Sequence, residues 1–494
     1  MIAMPREADV AVLGAGPAGS AAARLLAQWG HSTLLIDRGS NRPALAESLP
    51  PSCERLLDVI GVRELVDGAG FVRSTGNTVW WGAEPLSVEY FPDGRLGYQV
   101  LRSRFDALLR QGAADAGALV RHPAAVLAVT SEDGAHVVAV EEGGVQHTVR
   151  ARWVLDGTGR GGILSRGGGR RIDAGVRTIA LAGVWERDDG WPVPDESHTL
   201  VESVGHGWGW SVPVSAHRRF FTVMLDPRQS DLAPGTGGLR QYNEEMQRLP
   251  ALSGVLQGAR QVGAAWACDA SPYSSNPIVG DGALLMGDAA SFIDPLSSFG
   301  VKKALASGWM AAVVAHTALT RPELRGPSVE LYARRERAYV AAATRELAGL
   351  SSRARDGAAG AGFWAARAAL IADEADEQNV DALRADPEVR RAFETLRTRP
   401  QAGLRLASAT RVEPRPVIRD HAVSMEPHLV CEAFPEGVRF LRSVDLLAVA
   451  RIGATESDVG RMYERYVREA GPAALPDFLG ALSVLLGKGV CDFA

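Results

Sequence analysis

Three glycines near the start of the chain have the spacing of a phosphate-binding turn. Gly14, Gly16 and Gly19 form G-x-G-x-x-G directly after the apolar run Val10–Leu13, and Asp37 follows. The first glycine permits a tight turn, the second leaves room for a pyrophosphate, and the third lets helix and strand pack closely. An acidic residue at about this distance accepts a hydrogen bond from a ribose hydroxyl. The pattern predicts a dinucleotide site at a helix N-terminus.

The elements that must position these glycines are a strand, a helix and a second strand. Val10–Leu13 and Ser32–Ile36 have strand composition, and Ser20–Trp29 has the Ala and Leu content of a helix. This context makes the motif far more specific than the glycines alone. A second match to the motif, Gly157–Gly162, closes a strand (Thr148–Leu155) and has no suitable helix and strand after it. We interpret it as a loop that approaches the first site.

Composition excludes several classes of function. The 494 residues suggest two or three domains, and 46% hydrophobic with 22% charged residues is ordinary for a soluble globular protein. The net charge of −5 does not favour nucleic-acid binding. We expect no signal peptide and no membrane span. The scattered cysteines, without a Cys/His cluster, indicate reduced structural thiols, no metal site and a cytoplasmic location; they are Cys53, Cys268, Cys431 and Cys491.

The middle of the chain predicts a sheet followed by helices. Residues 175–262 alternate apolar and polar, which is typical of antiparallel strands. Ala283–Met286 has the composition of a buried strand, and a helix is expected over Val301–Leu319. Residues 320–400 are rich in Ala, Arg, Glu and Leu, which indicates helices. We expect breaks at four prolines, namely Pro322, Pro327, Pro387 and Pro400.

The tail predicts a hairpin followed by three helices. Strands at His428–Cys431 and Val438–Leu441 are joined by Pro435-Glu436-Gly437 in this interpretation. The helical stretches are Ser443–Ala450, Ser457–Ala470 and Leu475–Lys488. This order loosely resembles small winged-helix peptide-recognition modules of peptide-modifying enzymes, which bind an extended peptide on a sheet edge. A helical lid or a dimer face is the alternative interpretation.

Three sequence blocks together resemble the FAD-binding signature of para-hydroxybenzoate hydroxylase-like flavoproteins. They are the first glycine motif, Asp156-Gly157-Thr158-Gly159, and the run from Gly287-Asp288 to Asp294-Pro295. The resemblance implies FAD as the cofactor, with Asp37 at the adenosine ribose and Asp288 at the ribityl chain. The cofactor-binding residues it implies are Gly14, Gly16, Gly19, Asp37, Arg38, Arg102, Asp156, Gly287, Asp288, Pro295, Ser298, Gly300 and Val301.

The implied fold class is α/β, with a Rossmann-like FAD-binding domain, an inserted antiparallel substrate sheet and a mostly helical C-terminal region. We assign residues 1–175 and 262–320 to the FAD-binding domain and residues 70–100 and 176–261 to the substrate-binding sheet. Residues 321–410 form a helical region, and residues 411–494 form the small winged-helix-like module.

Within these flavoproteins the chain resembles flavin-dependent halogenases, with one departure. Trp208-Gly209-Trp210-Ser211-Val212-Pro213 matches their W-x-W-x-x-P signature, and Gly70–Gly82 matches the segment that carries their essential lysine. In those enzymes the lysine activates or captures hypohalous acid. Here Ser74 stands at that position after Arg73, and serine cannot form a chloramine. The missing lysine favours hydroxylation over halogenation.

We therefore predict an FAD-dependent monooxygenase. It hydroxylates an electron-rich aromatic ring, an indole or phenol, through a flavin C4a-hydroperoxide and O2. The ring belongs to a small molecule, to a Trp or Tyr side chain of a peptide, or to a carrier-tethered group. NAD(P)H or a separate flavin reductase supplies electrons. The catalytic candidates are Glu47, Ser74, His206, Trp208 and Trp210. The alternatives are an aromatic halogenase using FADH2 and an alkene reductase of the geranylgeranyl reductase type.

Overall fold

A computed structural model describes residues 3–40, 43–165, 170–172, 176–228, 239–276, 278–357, 362–370, 380–398 and 401–494. The chain forms two compact units. The first comprises Met1–Pro322 and Tyr332–Asp373, and the second comprises Glu323–Leu331 and Glu374–Ala494. Pro400, where the sequence predicts a break, lies outside the described residues.

The elements follow one another along the chain with a mixture of strands and helices. Up to residue 172 they are β1 (Glu7–Leu13), α1 (Pro17–Gln28), β2 (Thr33–Ile36), β3 (Ala46–Leu49), α2 (Glu54–Ile60), α3 (Arg63–Asp67), β4 (Val72–Ser74), β5 (Gly76–Trp80), β6 (Ser87–Tyr90), β7 (Gly97–Leu101), α4 (Arg102–Asp115), β8 (Leu119–Arg121), β9 (Ala125–Glu132), β10 (Ala135–Glu142), β11 (Val145–Asp156) and β12 (Arg170–Ile172). To residue 368 they are β13 (Ile179–Glu186), β14 (Thr199–Val204), β15 (Gly207–Pro213), β16 (Arg218–Leu225), α5 (Leu239–Gln247), α6 (Pro250–Val255), β17 (Arg260–Asp269), β18 (Tyr273–Ser275), β19 (Val279–Gly280), β20 (Ala283–Leu285), β21 (Ser291–Phe292), α7 (Gly300–Thr320), α8 (Arg325–Gly357) and α9 (Gly362–Ala368). The remainder are α10 (Val380–Ala385), α11 (Pro387–Thr398), β22 (Leu404–Leu406), β23 (Arg411–Arg419), β24 (Ala422–Cys431), β25 (Phe434–Val438), β26 (Phe440–Leu441), β27 (Val444–Asp445), α12 (Leu446–Gly453), α13 (Val459–Ala470), α14 (Leu475–Gly487) and β28 (Cys491–Phe493).

The glycine turn lies at the centre of a parallel sheet. Strand β1 pairs in parallel with β11 on one side and β2 on the other. The path of the sheet is β19-β20-β11-β1-β2-β8, and β9 and β10 extend it as an antiparallel ribbon from β11. Val10–Leu13 are fully buried, as a strand covered on both faces requires. The predicted α/β fold class with a Rossmann-like domain is confirmed.

A second, seven-stranded sheet has the order β17-β13-β16-β15-β14-β5-β6. Its alternating residues divide between two apolar clusters. One cluster packs the sheet against α5 and α6 and includes Phe221, Leu249 and Leu252. The other includes Trp81, Trp208 and the helix α9 residues Phe363 and Trp364. Strands β13 and β16 of this sheet lie within residues 175–262, where the alternating pattern predicts antiparallel strands.

Glu47 and Ser48 lie in a strand that was not expected, β3, which pairs with Tyr98–Leu101 of β7. One prediction of local structure in the first 330 residues is wrong. Pro327 does not break a helix but lies in the first turn of α8, where the missing N–H has no intrahelical partner to lose. Pro322 and Pro387 do begin new elements, as expected.

The second unit contains a three-stranded sheet, β23-β24-β25, followed by three helices around one apolar core. Helices α12, α13 and α14 lie where the sequence predicts them. The predicted turn Pro435-Glu436-Gly437 is wrong, because these residues lie in β25 and a two-residue turn follows Cys431. Strand β23 was not expected; a left-handed residue, Asp420, closes its hairpin with β24.

Among the described residues, no single helix has the length and apolar character needed to cross a membrane. The bent pair α13 and α14 meets that criterion only when the two helices are taken together.

Candidate flavin and substrate site

The glycine turn is tightly packed at two of its glycines and open at the third. A Cβ on Gly14 would lie 2.5 Å from the Gly157 carbonyl oxygen, and a Cβ on Gly19 would lie 1.8 Å from the Gly14 carbonyl oxygen. A Cβ on Gly16 would meet no atom within 4 Å among the described residues. Gly16 is also the N-cap of α1, so no side chain at this position caps the first amides of the helix. The turn thus has open space for a pyrophosphate at a helix N-terminus.

Asp37 is held at the end of β2 by backbone donors. Its carboxylate accepts hydrogen bonds from the amides of Ala15 and Gly39, each at 3.1 Å. The Nδ1 atom of His122, a neighbour that the sequence did not indicate, lies 2.8 Å from the same carboxylate. A carboxylate has about four acceptor positions, so capacity for a ribose hydroxyl remains. Arg38 follows at an exposed position.

Glu47 and Arg102 form an ion pair between β3 and the start of α4. Arg102 Nη1 donates to Glu47 Oε1 at 2.8 Å, while its Nε and Nη2 donate to the two oxygens of Asp106 at 2.9 and 3.0 Å. The two carboxylates therefore fix the direction of the guanidinium. Burial raises the pKa of Glu47, Arg102 opposes the shift, and the charge of Asp288 adds to it.

Asp156 organises a loop, and its carboxylate is fully buried. One carboxylate oxygen accepts hydrogen bonds from the Thr158 amide (2.9 Å) and hydroxyl (2.6 Å), and the other accepts from the Leu164 amide (2.8 Å). The loop begins where β11 ends, next to the glycine turn, and in the part of the chain that the structure describes no second nucleotide fold follows it. Any contribution of Asp156 to cofactor binding would act through the loop.

Asp288 lies in a tight turn directly after β20. Gly287 has a left-handed φ of 58°, which glycine adopts without strain. Tyr273 donates its hydroxyl to the backbone carbonyl of Asp288. Among the described residues, the Asp288 carboxylate has no hydrogen-bond or ion-pair partner, so it is available to a ligand.

The segment from Pro295 to Val301 forms a short 3₁₀ turn followed by the start of α7. Asp294 caps the turn through a 3.0 Å hydrogen bond from the Leu296 amide. Ser298 adopts a left-handed φ of 54°, and α7 begins at Gly300 without a side-chain cap. The open N-terminus of a long helix favours negative charge nearby.

A buried ion pair ties this segment to α9. Arg367 Nε lies 3.6 Å from Asp294 Oδ2, and both side chains are almost fully buried. Arg367 also donates to the Phe363 carbonyl and the Thr178 hydroxyl. Burial raises the pKa of Asp294, and Arg367 opposes that shift. No local sequence pattern indicates this ion pair, because Asp294 and Arg367 are far apart along the chain.

An aromatic wall adjoins the same segment. Trp208 and Trp210 stack with ring centroids 4.8 Å apart, as expected for i, i+2 residues on one strand face. Trp81 and Trp364 meet edge to face at 5.2 Å. Phe292 and Leu296 pack against this cluster. Trp80, the neighbour of Trp81 in the sequence, instead packs in the other apolar cluster of the sheet.

The remaining catalytic candidates already have protein partners. Ser74 is fully buried and donates to the Gly76 carbonyl at 3.1 Å. Arg73 lies 4.1 Å over the Tyr98 ring and bonds Asp67 at 2.9 Å. His206, in the turn before β15, has its Nε2 atom 3.3 Å from a carboxylate oxygen of Glu245 on α5. The roles of Ser74 and His206 in catalysis stay predictions.

Three features together define an FAD-binding flavoprotein. They are the parallel sheet with an open glycine turn at its centre, the Asp288 carboxylate without a partner among the described residues, and the open N-terminus of α7. The comparison with family models gives the same class, since the model described as "FAD binding domain" matches residues 7–314. The chain belongs to this FAD binding domain family.

Three similar proteins illustrate the relationship. Tryptophan 2-halogenase of Chondromyces crocatus is 28% identical over 347 residues, which are 67% of this chain and 65% of that protein. The flavin-dependent halogenase CmlS superposes with a TM-score of 0.79 at 21% identity, over 99% of this chain and 96% of CmlS. The peptidyl tryptophan dihydroxylase QhpG gives a TM-score of 0.67 at 24% identity, over 94% of this chain and 100% of QhpG. The two structures support the fold.

Proposed function

We propose that this protein is an FAD-dependent monooxygenase that hydroxylates an electron-rich aromatic ring. The observation that carries the proposal is that Ser74 and Arg73, at the position that matches the halogenase lysine, both contact other residues of the protein. Ser74 is buried and donates a hydrogen bond to the Gly76 carbonyl. Arg73 beside it stacks over the Tyr98 ring and forms an ion pair with Asp67. Neither residue supplies the amine that halogenation uses.

All three lysines of the chain have other partners. Lys302 lies 4.8 Å over the Phe299 ring. Lys303 is buried and donates to two backbone carbonyls. Lys488 donates to Asp386 at 2.6 Å, within the second unit. This distribution favours a reaction in which the protein provides no nucleophilic nitrogen.

Bound FAD, once reduced, supplies the electrons that activate O2. The chain's own task is to orient the aromatic ring and to exclude water from the reacting atoms. The half-buried Trp210, stacked on the buried Trp208, offers part of the apolar, aromatic surface that such a ring requires. The buried Trp208 indole N–H has no partner among the described residues, and a hydrogen-bond acceptor on the substrate would satisfy it.

Glu47 is the acid–base group that we favour for removing a phenol or indole proton. Arg102 fixes the position of its carboxylate, and burial raises the pKa of Glu47. His206 is less favoured, because its pairing with Glu245 gives it a structural role in anchoring α5.

The substrate class follows from the relatives. Tryptophan is named for the halogenase relative, and a peptidyl tryptophan is named for QhpG, so we propose a tryptophan-like indole, free or peptide-borne. The test supplies the holoenzyme with a flavin reductase, NADH, ¹⁸O2 and tryptophan, indole, phenols or tryptophan-containing peptides. A labelled hydroxyl in a product supports the proposal, and products that carry no labelled oxygen would contradict it.

Halogenation is the second candidate function, because two of the three relatives above are halogenases. It requires that another group takes the part of the missing lysine. Bromide in the same assay distinguishes the two reactions by the isotope pattern of the product.

A further inference from the structure

Lys303 is an unusual cation in this chain. Lysine and arginine together number 53, yet only Lys302, Lys303 and Lys488 are lysines. Lys303 is 1% exposed, on the inner face of α7. A buried ammonium is costly unless it is fully hydrogen-bonded.

The contacts of Lys303 bracket Asp288. Its Nζ donates to the carbonyl oxygens of Gly287 and Ser291, each at 2.6 Å. Glu336 of α8 provides the counter-charge, with Oε2 3.8 Å from Nζ. The two carbonyls belong to the turn and the strand on either side of the Asp288 carboxylate, which has no hydrogen-bond or ion-pair partner among the described residues.

A second set of bonds holds the same turn from α7 and α8. The Ser307 hydroxyl accepts a hydrogen bond from the Gly287 amide at 2.9 Å and lies 3.0 Å from the Tyr332 hydroxyl. Tyr332 in turn bonds the Leu285 carbonyl at 2.7 Å. The neutral Ser307 and Tyr332 thus hold the start of the turn. The charged Lys303 holds both Gly287 at its start and Ser291 at its end.

We propose that Lys303 is a positioning residue for the cofactor: it fixes the Gly287–Ser291 turn so that Asp288 is presented to FAD. A compact ammonium reaches two carbonyls at once, and a planar guanidinium does not reproduce that geometry. The role depends on FAD binding alone and therefore holds whether the enzyme hydroxylates or halogenates.

The test measures FAD affinity by fluorescence titration of apoprotein. Lys303→Met removes two charge-assisted hydrogen bonds, and we expect FAD to bind about tenfold or more weakly. Lys303→Arg restores the charge without the geometry, and we expect an intermediate affinity. Lys488→Met, in the second unit, is the matched control and leaves FAD affinity unchanged.

A double-mutant cycle with Asp288→Asn separates positioning from a general structural effect. If Lys303 acts through Asp288, Lys303→Met adds little to the loss caused by Asp288→Asn. Wild-type FAD affinity in Lys303→Met, or losses that multiply fully in the double variant, would overturn the proposal. Should Lys303→Met not fold, Lys303→Met combined with Glu336→Leu removes both buried charges and is judged by the same two outcomes.

Discussion

A Cβ on Gly19 would lie 1.8 Å from the carbonyl oxygen of Gly14, so the first and third glycines of the motif are in direct contact. The second glycine, Gly16, has no such neighbour. Packing and ligand binding therefore impose different demands on glycines that look equivalent in the sequence.

This difference predicts opposite behaviour for two alanine substitutions. Gly16→Ala leaves the free energy of unfolding of apoprotein within about 0.5 kcal/mol, because φ is −72° and the space is open. FAD affinity should nevertheless fall, since the methyl group occupies the phosphate position. Gly19→Ala destabilises the apoprotein itself by about 1–3 kcal/mol or more through overpacking. Urea unfolding and FAD titration measure the two effects, and equal destabilisation by both substitutions would contradict the account.

The glycine turn and its flanking elements were predictable because they depend on short-range pattern. Strand β1, helix α1 and strand β2 lie within a few residues of their expected bounds. The helices of the tail were predictable for the same reason. The strand that contains Glu47 was not expected, because it exists only through pairing with β7, and no local pattern indicates such a partner.

Glu47→Gln should weaken FAD binding by about tenfold. The substitution removes the charge that, with Asp106, orients Arg102, and a partly buried charged hydrogen bond contributes about 1.5–3 kcal/mol. Fluorescence titration with FAD checks this. Glu84→Gln, at an exposed position, is the control, and equal FAD affinity in the Glu47 and Glu84 variants would refute a role for the pair in cofactor binding.

Trp364→Ala should cost about 3–5 kcal/mol of stability, because the side chain is fully buried and its Nε1 donates to the Val204 carbonyl at 2.7 Å. Trp364→Phe keeps most of the packing and should cost less. Chemical denaturation measures both. A loss below about 1 kcal/mol for Trp364→Ala would mean that α9 is not part of the aromatic wall.

The long-range contacts of that wall could not be derived from the sequence. Trp208 and Trp210 are two residues apart on β15, which places them on one strand face, and they stack there. Nothing in the composition around Trp364 or Arg367 indicates that they pack against Trp81 and Asp294, since such partners are selected by the tertiary fold. The catalytic roles proposed for the site residues stay predictions.

The free energy of unfolding should fall on mild acidification, because His198 becomes protonated. Burial lowers the pKa of this histidine; Asp195 opposes the shift, and Arg219 adds to it. Protonation therefore favours the unfolded chain, and the free energy of unfolding falls as pH drops below the ordinary histidine value of about 6.5. His198→Gln should flatten this decline between about pH 7 and 5 in urea unfolding. The exposed His217→Gln serves as control, and an unchanged decline in the His198 variant would exclude the mechanism.

The distinction between oxygen transfer and halogen transfer is the central claim. It is tested most directly by mass spectrometry of the product formed by holoenzyme from a tryptophan-containing substrate, with reduced FAD, ¹⁸O2 and excess bromide. Since Ser74 and Arg73 supply no amine, we predict a product that carries labelled oxygen and no bromine. A brominated product without labelled oxygen would contradict the account.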